Sequence, residues 1–214
     1  MKRLFLASEA KSSIKEIDDF VGGLKGKKIV YIGTVANGEN AFGEWKTQGV
    51  TLNLLHSMKL NVNPIQLEDY KSESVLEDLR KNDIIWFAGG VPAYLMYWVI
   101  RCGLDRTLPD LLEKSIYVGS SAGSMICAKT LRMAALYPGE MDRNGNYLPG
   151  FGFINFEIFP HYEDDKLPML KKVWKNEYGD LYLLKNGEAI TVVGDKIEVL
   201  GEKRILSNGQ VIKS

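Results

Sequence analysis

The chain places two adjacent serines between glycines in the segment YVGSSAGSMI, residues 117–126. Within it, GSSAG matches the G-x-S-x-G pattern, in which a strand turns sharply into a helix and presents its central serine above the sheet edge. The central serine is Ser121, whereas Ser120 occupies the variable position. The pattern favours Ser121 as a nucleophile. The alternative is a glycine-serine turn that only caps a helix.

A serine nucleophile needs a general base, and the chain has only two histidines. His56 lies in LNLLHSMKL, which resembles an amphipathic helix and favours a structural or surface role. His161 lies in EIFPHYEDD, where a strand-like run meets a loop. Because sites of parallel-sheet enzymes form where strand ends meet loops, we predict His161 as the base.

A second glycine-containing turn is found in FAGGVPAYL, where Gly89 and Gly90 end a strand and precede a helix. Glycine there lets the backbone approach a ligand and leaves an N–H group free to bind an oxyanion. The helix after Ser121 offers further amide hydrogens and a favourable dipole. The alternative for the glycine pair is a turn that simply needs positive φ.

The elements that must position these residues alternate between strand-like and helical patterns. Strand-like runs cover residues 2–8, 27–35, 61–69, 83–90 and 115–121. Helical patterns cover residues 12–24, 39–60, 72–82, 93–104 and 122–130. This alternation predicts βαβ units: an α/β fold with a mostly parallel, doubly wound sheet and helices on both faces.

The C-terminal part has a different pattern. Residues 151–162 are strand-like and residues 166–179 are helical. Residues 188–212 contain short strand-like runs separated by GD, GE and NG turn signals. We therefore expect a small antiparallel addition to the main sheet, within one domain that spans residues 1–214.

Composition excludes several classes of function. The chain has 214 residues, with 27 Lys+Arg and 27 Asp+Glu, so its net charge of zero gives no support for nucleic-acid or anionic-membrane partners. No run approaches the length of a membrane span, and the apolar stretch at the N-terminus is too short for a signal peptide. Cys102 and Cys127 lie in apolar surroundings, which suggests reduced thiols and a cytoplasmic protein. No metal or organic cofactor is implied, because H-E-x-x-H, Cys-x-x-Cys and P-loop patterns are missing.

Together, YVGSSAGSMI, FAGG and FPHY resemble the peptidase E (aspartyl dipeptidase) and cyanophycinase family. These are serine peptidases on a fold related to class I glutamine amidotransferases. The resemblance covers nearly the whole chain in length and element order. It implies Ser121 as nucleophile, His161 as base, and the backbone N–H groups of Gly90 and Ala122 as the oxyanion hole.

The chain departs from this family at the third triad position. The family usually has an acidic residue there, but alignment on Ala189-Ile190 places Asn186 at that position. Asparagine can orient a histidine through its carbonyl oxygen. Glu188 is the alternative, since in a strand it would share a face with Asn186. We favour Asn186.

A second departure concerns specificity. In peptidase E a Gly-Asn-Thr segment follows the glycines, and an arginine after the histidine helps to bind the substrate aspartate. Here the first segment is GGVPAYL, and no arginine occurs between His161 and Arg204. Lys166 is a nearby cation that can pair with a carboxylate, although without arginine's bidentate fork. Gly89, Val91 and Lys166 are therefore the candidate substrate-binding residues, and aspartyl specificity is left open.

Three functions remain open. The first is a serine peptidase that hydrolyses short peptides without a cofactor. The second is a binding or regulatory module that has lost efficient catalysis, and the third is an esterase-like acyl hydrolase. A fluorophosphonate probe separates the second from the others, because only an activated serine reacts with it.

Overall fold

The computed structural model describes residues 1–39, 42–134 and 149–213. The strands are β1 (Arg3–Ala7), β2 (Lys28–Ile32), β3 (Asn61–Ile65), β4 (Ile84–Phe87), β5 (Ile116–Ser120), β6 (Glu157–Phe159), β7 (Leu181–Leu183), β8 (Ala189–Val193), β9 (Lys196–Leu200), β10 (Arg204–Ser207) and β11 (Gln210–Lys213). The helices are α1 (Ile14–Val21), α2 (Thr34–Asn37), α3 (Trp45–Gln48), α4 (Val50–Ser57), α5 (Leu76–Leu79), α6 (Pro92–Arg101), α7 (Leu104–Leu111), α8 (Ala122–Met125) and α9 (Leu167–Val173).

The larger sheet has seven strands in the order β3-β2-β4-β5-β1-β8-β9. The strands from β3 to β1 in this order run parallel, whereas β8 and β9 are antiparallel to their neighbours. The predicted α/β fold with a mostly parallel sheet is therefore confirmed. Strands β4 and β5 are buried at every position, as expected for parallel strands covered on both sides.

The second sheet has four strands in the order β11-β10-β7-β6. The sequence predicted one antiparallel addition to the main sheet, but only β8 and β9 join it. Strands β10 and β11 instead pair with β7, which itself runs parallel to β6. The buried apolar side chains of both sheets belong to one hydrophobic cluster, to which Phe5 and Trp86 contribute from the first sheet and Leu206 from the second.

Several predicted helices are shorter than their patterns suggested. The helix expected over residues 39–60 is divided into α3 and α4, because Gly49 between them has an extended backbone with φ −63° and ψ 114°. Residues 40 and 41 of that prediction lie outside the described residues. The helix expected over residues 122–130 ends at Met125.

Three elements were missed. Helix α2 begins within the run of residues 27–35 that was predicted as a strand. Helix α7 contains Pro109, a residue that argues against a helix interior, and strand β7 is only three residues long. In the part of the chain that the structure describes, no helix is long and apolar enough to cross a membrane.

The register of the central strands brings the conspicuous sequence motifs to one sheet edge. Ala7 at the end of β1 pairs with Ser120 at the end of β5, and Phe87 at the end of β4 pairs with Gly119. Because these strands are parallel, the residues that follow them emerge at the same edge. Ser8, Ala88 and Ser121 therefore start their loops side by side.

Candidate active site

Ser121 lies in the sharp turn between β5 and α8. Its backbone has φ +50° and ψ −110°, a conformation that non-glycine residues rarely adopt. The turn is held by hydrogen bonds on both sides: Ser121 N–H donates to Ala7 O (3.0 Å), and Met125 N–H donates to Ser121 O (3.0 Å). This strained strand-to-helix turn is the conformation of a nucleophile elbow.

The glycines that flank the elbow are required by close packing. A Cβ on Gly123 would lie 2.3 Å from Phe87 O on the neighbouring strand. A Cβ on Gly119 would lie 2.5 Å from Gly123 O. Because real Cβ atoms do not approach backbone so closely, the G-x-S-x-G spacing is explained by how tightly α8 packs against β4 and β5.

His161 lies within hydrogen-bond distance of Ser121. Its Nε2 is 3.0 Å from Ser121 Oγ, and its Nδ1 is 2.7 Å from Asn186 Oδ1. His161 follows β6 and has φ +55°, so its backbone is in the left-handed region. His56, the other histidine, is exposed on α4 and lines no part of this site.

The contact with Asn186 determines the histidine tautomer that fits this geometry. A carboxamide oxygen can only accept a hydrogen bond, so it pairs with Nδ1 when Nδ1 carries the proton. Nε2 is then unprotonated and can accept the hydroxyl proton of Ser121. Serine, histidine and asparagine side chains thus form a continuous chain of two hydrogen bonds.

Glu188, the alternative third residue, has other partners. Both of its carboxylate oxygens accept hydrogen bonds from Arg204 Nη1, at 2.7 and 2.9 Å. It also accepts from the backbone N–H groups of Lys185 (2.8 Å) and Glu202 (3.2 Å). The expectation that Asn186 and Glu188 share a strand face is wrong, because residues 185–188 form a turn between β7 and β8. Within this turn Glu188 stabilises the backbone from which Asn186 projects.

The Ser120 hydroxyl takes no part in this chain of hydrogen bonds and makes a structural contact instead. Its hydroxyl accepts from Ala10 N–H (3.0 Å), and the residue is 6% exposed. This contact connects the end of β5 to the loop that follows β1.

Gly90 lines the same cavity as Ser121, and Ala122 directly follows Ser121 in the chain. Ala122 is the first residue of α8, where a backbone N–H group has no acceptor within the helix. Gly90 follows β4 with φ +144°, a backbone conformation that L side chains rarely adopt. The next amide, that of Val91, is not available, since it donates to Val35 O at 3.1 Å.

Several of the residues predicted for the site line one open cavity of about 400 Å³. Its lining includes Gly89, Gly90, Ser121 and His161. An aromatic and apolar wall is formed by Tyr31, Trp45 and Val50. The lining also includes two carboxylates, those of Glu9 and Glu39, and no lysine or arginine among the residues that the structure describes.

Two of the predicted substrate-binding residues do not line this cavity. Val91 is the N-cap residue directly before α6, and Lys166 forms an ion pair with Asp165 at 3.3 Å. Arg204, the first arginine after the histidine, is 4% exposed and is bound to Glu188.

The two cysteines have the properties of structural thiols. Both are buried, and burial raises the pKa of the Cys127 thiol to about 12 and also raises that of Cys102. A thiol is nucleophilic only as the thiolate, so burial makes both cysteines poor nucleophiles.

Sequence inspection missed Ser8 and Glu9, which follow β1 at the site. Ser8 is fully buried and accepts from His161 N–H at 2.8 Å, while Glu9 lines the cavity. The available signal was their place at the end of the strand-like run over residues 2–8, because the residues that follow parallel strands emerge at one sheet edge. The pairing of β1 with β5, which brings them to Ser121, is not visible in the sequence.

Comparisons with known proteins agree with this architecture. The chain is 26% identical over 206 residues to Lmo0363, an uncharacterized peptidase of Listeria monocytogenes serovar 1/2a, covering 92% of this chain and 97% of that protein. It is 27% identical over 209 residues to Lin0382, an uncharacterized peptidase of Listeria innocua serovar 6a, covering 92% and 95%.

Two solved structures extend the comparison. A 1.5 Å crystal structure of a candidate peptidase E protein from Listeria monocytogenes EGD-e superposes with a TM-score of 0.75 and 26% identity, covering 94% of this chain and 98% of that one. A peptidase from an acI-B1 Actinobacterium shares the fold, with a TM-score of 0.67 and 20% identity over 100% of this chain and 97% of that one.

The family model described as peptidase family S51 matches residues 4–200. That range includes β2 to β9, all of β1 except Arg3, and every side chain of the serine–histidine–asparagine contact. The resemblance noted from the sequence is thereby confirmed, and the chain belongs to peptidase family S51.

Proposed function

We propose that this peptidase is a serine-type enzyme that hydrolyses short peptides through Ser121, His161 and Asn186. The observation that carries the proposal is the pair of contacts at His161, 3.0 Å to Ser121 Oγ and 2.7 Å to Asn186 Oδ1. A dipeptide library tests it: the wild-type protein is expected to release free amino acids. The Ser121→Ala variant, prepared in parallel, is the blank that excludes contaminating peptidases.

Acylation begins when Ser121 Oγ attacks the scissile carbonyl carbon and transfers its proton to His161 Nε2. The carbonyl oxygen becomes an oxyanion, which accepts hydrogen bonds from the proposed oxyanion hole, the backbone N–H groups of Gly90 and Ala122. Histidine then gives the proton to the departing amine, and the C–N bond breaks. The acyl group remains on Ser121.

Deacylation repeats the same steps with water. Nε2 accepts a proton from the attacking water, and the proton returns to Ser121 Oγ as the ester bond breaks. Asn186 keeps the proton of the neutral imidazole on Nδ1 throughout. It orients the imidazolium but adds no full negative charge, so this triad stabilises the ion less than a carboxylate does.

The third position gives a direct prediction. Asn186→Ala should lower kcat with little change in KM, because Asn186 contacts the base and lies outside the cavity lining. Asn186→Asp should retain or raise kcat, since a carboxylate both orients and stabilises the imidazolium. Steady-state kinetics on one peptide substrate measure both.

Glu188→Gln is the matched comparison for Asn186→Ala. It should lower stability more than kcat, because it removes one of the two carboxylates, those of Glu188 and Glu202, that pair with the buried Arg204. The loss should be smaller than the roughly 3–5 kcal/mol of a buried charge left without any partner. Urea unfolding separates the two effects. A large kcat loss in a stably folded Glu188→Gln protein, next to an unaffected Asn186→Ala protein, would assign the third position to Glu188.

The charge of the cavity bears on the substrate. Glu9 and Glu39 both line it, and the described lining offers no cation to bind the side chain of an N-terminal aspartate. A cleft lined by one sign of charge attracts groups of the opposite sign. The proposed substrates therefore carry a cationic or neutral residue at their N-terminus. Trp45 and Tyr31 contact the apolar part of that residue's side chain.

Substrate charge gives a further prediction. Wild-type kcat/KM should decrease in the order lysyl, norleucyl, aspartyl among aminoacyl p-nitroanilides. Glu9→Gln should reduce the lysyl-to-norleucyl ratio by about fivefold, the effect of about 1 kcal/mol from a solvated charge pair. Glu113→Gln is the control, because Glu113 is exposed and does not line the cavity. A wild-type enzyme that favours the aspartyl substrate would contradict this assignment of the cleft.

A further inference from the structure

We propose that Ser8 is a positioning residue that selects the productive orientation of the Asn186 carboxamide and of the His161 ring. This inference rests on the proposed function, because it assigns a role relative to the proposed triad. Ser8 does not line the cavity, so it acts only through its neighbours.

Ser8 lies where three segments of the chain meet. It follows β1, and its own N–H donates to Glu188 O (3.0 Å) at the start of the antiparallel part of the sheet. Its side chain reaches the loop after β6 through His161 and the loop after β7 through Leu184 and Asn186. Its exposed fraction is 0%.

The hydroxyl of Ser8 contacts both residues that must activate Ser121. It accepts a hydrogen bond from His161 N–H at 2.8 Å. Its single proton faces two acceptors, Leu184 O at 3.1 Å and Asn186 Oδ1 at 3.4 Å. The same Oδ1 accepts from His161 Nδ1 at 2.7 Å. Ser8 is thus hydrogen-bonded to the backbone of the base and lies next to the atom that orients its ring.

A histidine–asparagine pair has two self-consistent arrangements. With Oδ1 towards the ring, Nδ1 carries the proton and Nε2 can act as a base. With the amide group rotated by half a turn, Nδ2–H donates to Nδ1 and the proton moves to Nε2, so the ring cannot accept the proton of Ser121. The pair alone does not choose between them, whereas an aspartate, with two equivalent oxygens, permits only the first.

Ser8 favours the first of these two arrangements, in which Asn186 Oδ1 points towards the histidine ring. A hydroxyl proton directed between Leu184 O and Asn186 Oδ1 favours the oxygen over the amide hydrogens at that place. The N–H of His161, held by Ser8 Oγ, fixes a backbone that has φ +55°. Removing the hydroxyl leaves the backbone less constrained and the carboxamide free to rotate.

The test is a cycle of four proteins: wild type, Ser8→Ala, Asn186→Asp and the double variant. The readout is the rate constant for labelling by a fluorophosphonate probe, which needs no knowledge of the natural substrate. Ser8→Ala should slow labelling about tenfold in the wild-type background, as expected for one lost hydrogen bond to a polar network. In the Asn186→Asp background the loss should be below about threefold, because a carboxylate has no wrong orientation.

Ser115→Ala is the matched control. Ser115 is also buried and donates to a backbone carbonyl, Asn82 O at 2.9 Å, but it lies before β5 at the opposite end of the strand. The Ser115→Ala protein should be less stable than the wild type but should react with the probe at the same rate. Equal losses from Ser8→Ala in both backgrounds would show that Ser8 only supports the fold, and would overturn the proposal.

A second measurement does not depend on catalysis. With only two histidines in the chain, ¹⁵N spectra of the imidazole groups can be assigned with a His56→Gln protein. We expect His161 to carry its proton on Nδ1 in the wild type and to become a mixture of tautomers in Ser8→Ala. An unchanged tautomer would overturn the role of Ser8. In the probe experiment, a wild-type protein that does not react with the fluorophosphonate would instead count against the proposed function.

Discussion

Replacing Ser121 with alanine is expected to abolish peptide hydrolysis and to leave the fold intact. The hydroxyl is the attacking group, and the loss of a serine nucleophile costs on the order of 10⁶ in kcat in a well-studied protease. Alanine removes one atom from a partly exposed side chain, so urea unfolding should change little. Turnover of a dipeptide substrate, measured beside the unfolding curve, checks both expectations.

Ser120→Ala is the control for this substitution, since it alters the adjacent serine in the same turn. It removes the acceptor of Ala10 N–H and should therefore cost some stability, about 1 kcal/mol, with a much smaller effect on kcat. Equal losses of activity in the two variants would refute the assignment of Ser121.

His161→Ala should be about as severe as Ser121→Ala, because members of a triad act as a unit. Without the imidazole no group of the described site lies within hydrogen-bond distance of Ser121 Oγ to take its proton. His56→Ala should leave turnover near that of the wild type, as His56 is exposed on α4. Kinetics of both variants with the same substrate make the comparison.

The pH dependence is part of the same prediction. A protonated imidazole cannot accept the serine proton, so kcat/KM should fall towards acid pH. In His161→Ala the residual rate should lack this acid limb. An inactive His56→Ala protein, or an acid limb that persists without His161, would mean that another group is the base.

Much of the parallel half of the fold could be predicted from residue patterns. The runs KIVYI, IIWF and IYVGS are rich in apolar β-branched and aromatic residues, and all three form central strands. The C-terminal half was less predictable, because short alternating strands can join either of two sheets. Strands β8 and β9 join the first sheet and β10 and β11 the second. Which sheet a strand joins depends on tertiary packing.

The site was predictable where a local backbone shape requires particular residues. The elbow needs glycine at 119 and 123, and that spacing is visible in the sequence. The role of Asn186 depended on a resemblance, and the distances at His161 are consistent with it. Ser8 and Glu9 were not identified, because their proximity to Ser121 results from the pairing of β1 with β5, more than a hundred residues apart.

Glu188 is a residue whose role in the structure differs from the role that its sequence pattern suggested. By strand alternation it was the alternative to Asn186 for the third position of the triad. The structure places it in a turn, where its carboxylate binds Arg204 and two backbone amides. A charged residue near a site can therefore serve the loop that carries the functional side chain.

The most direct test of the central claim, that Ser121 is an activated nucleophile, is to map the covalent product of a fluorophosphonate probe. The protein is labelled, digested and analysed by mass spectrometry, with Ser121→Ala and His161→Ala treated in parallel. We predict one adduct per chain on Ser121, no adduct in Ser121→Ala and strongly slowed labelling in His161→Ala. An unlabelled wild-type protein, as expected for a binding module, or an adduct on Ser120 or any other residue, would contradict the claim.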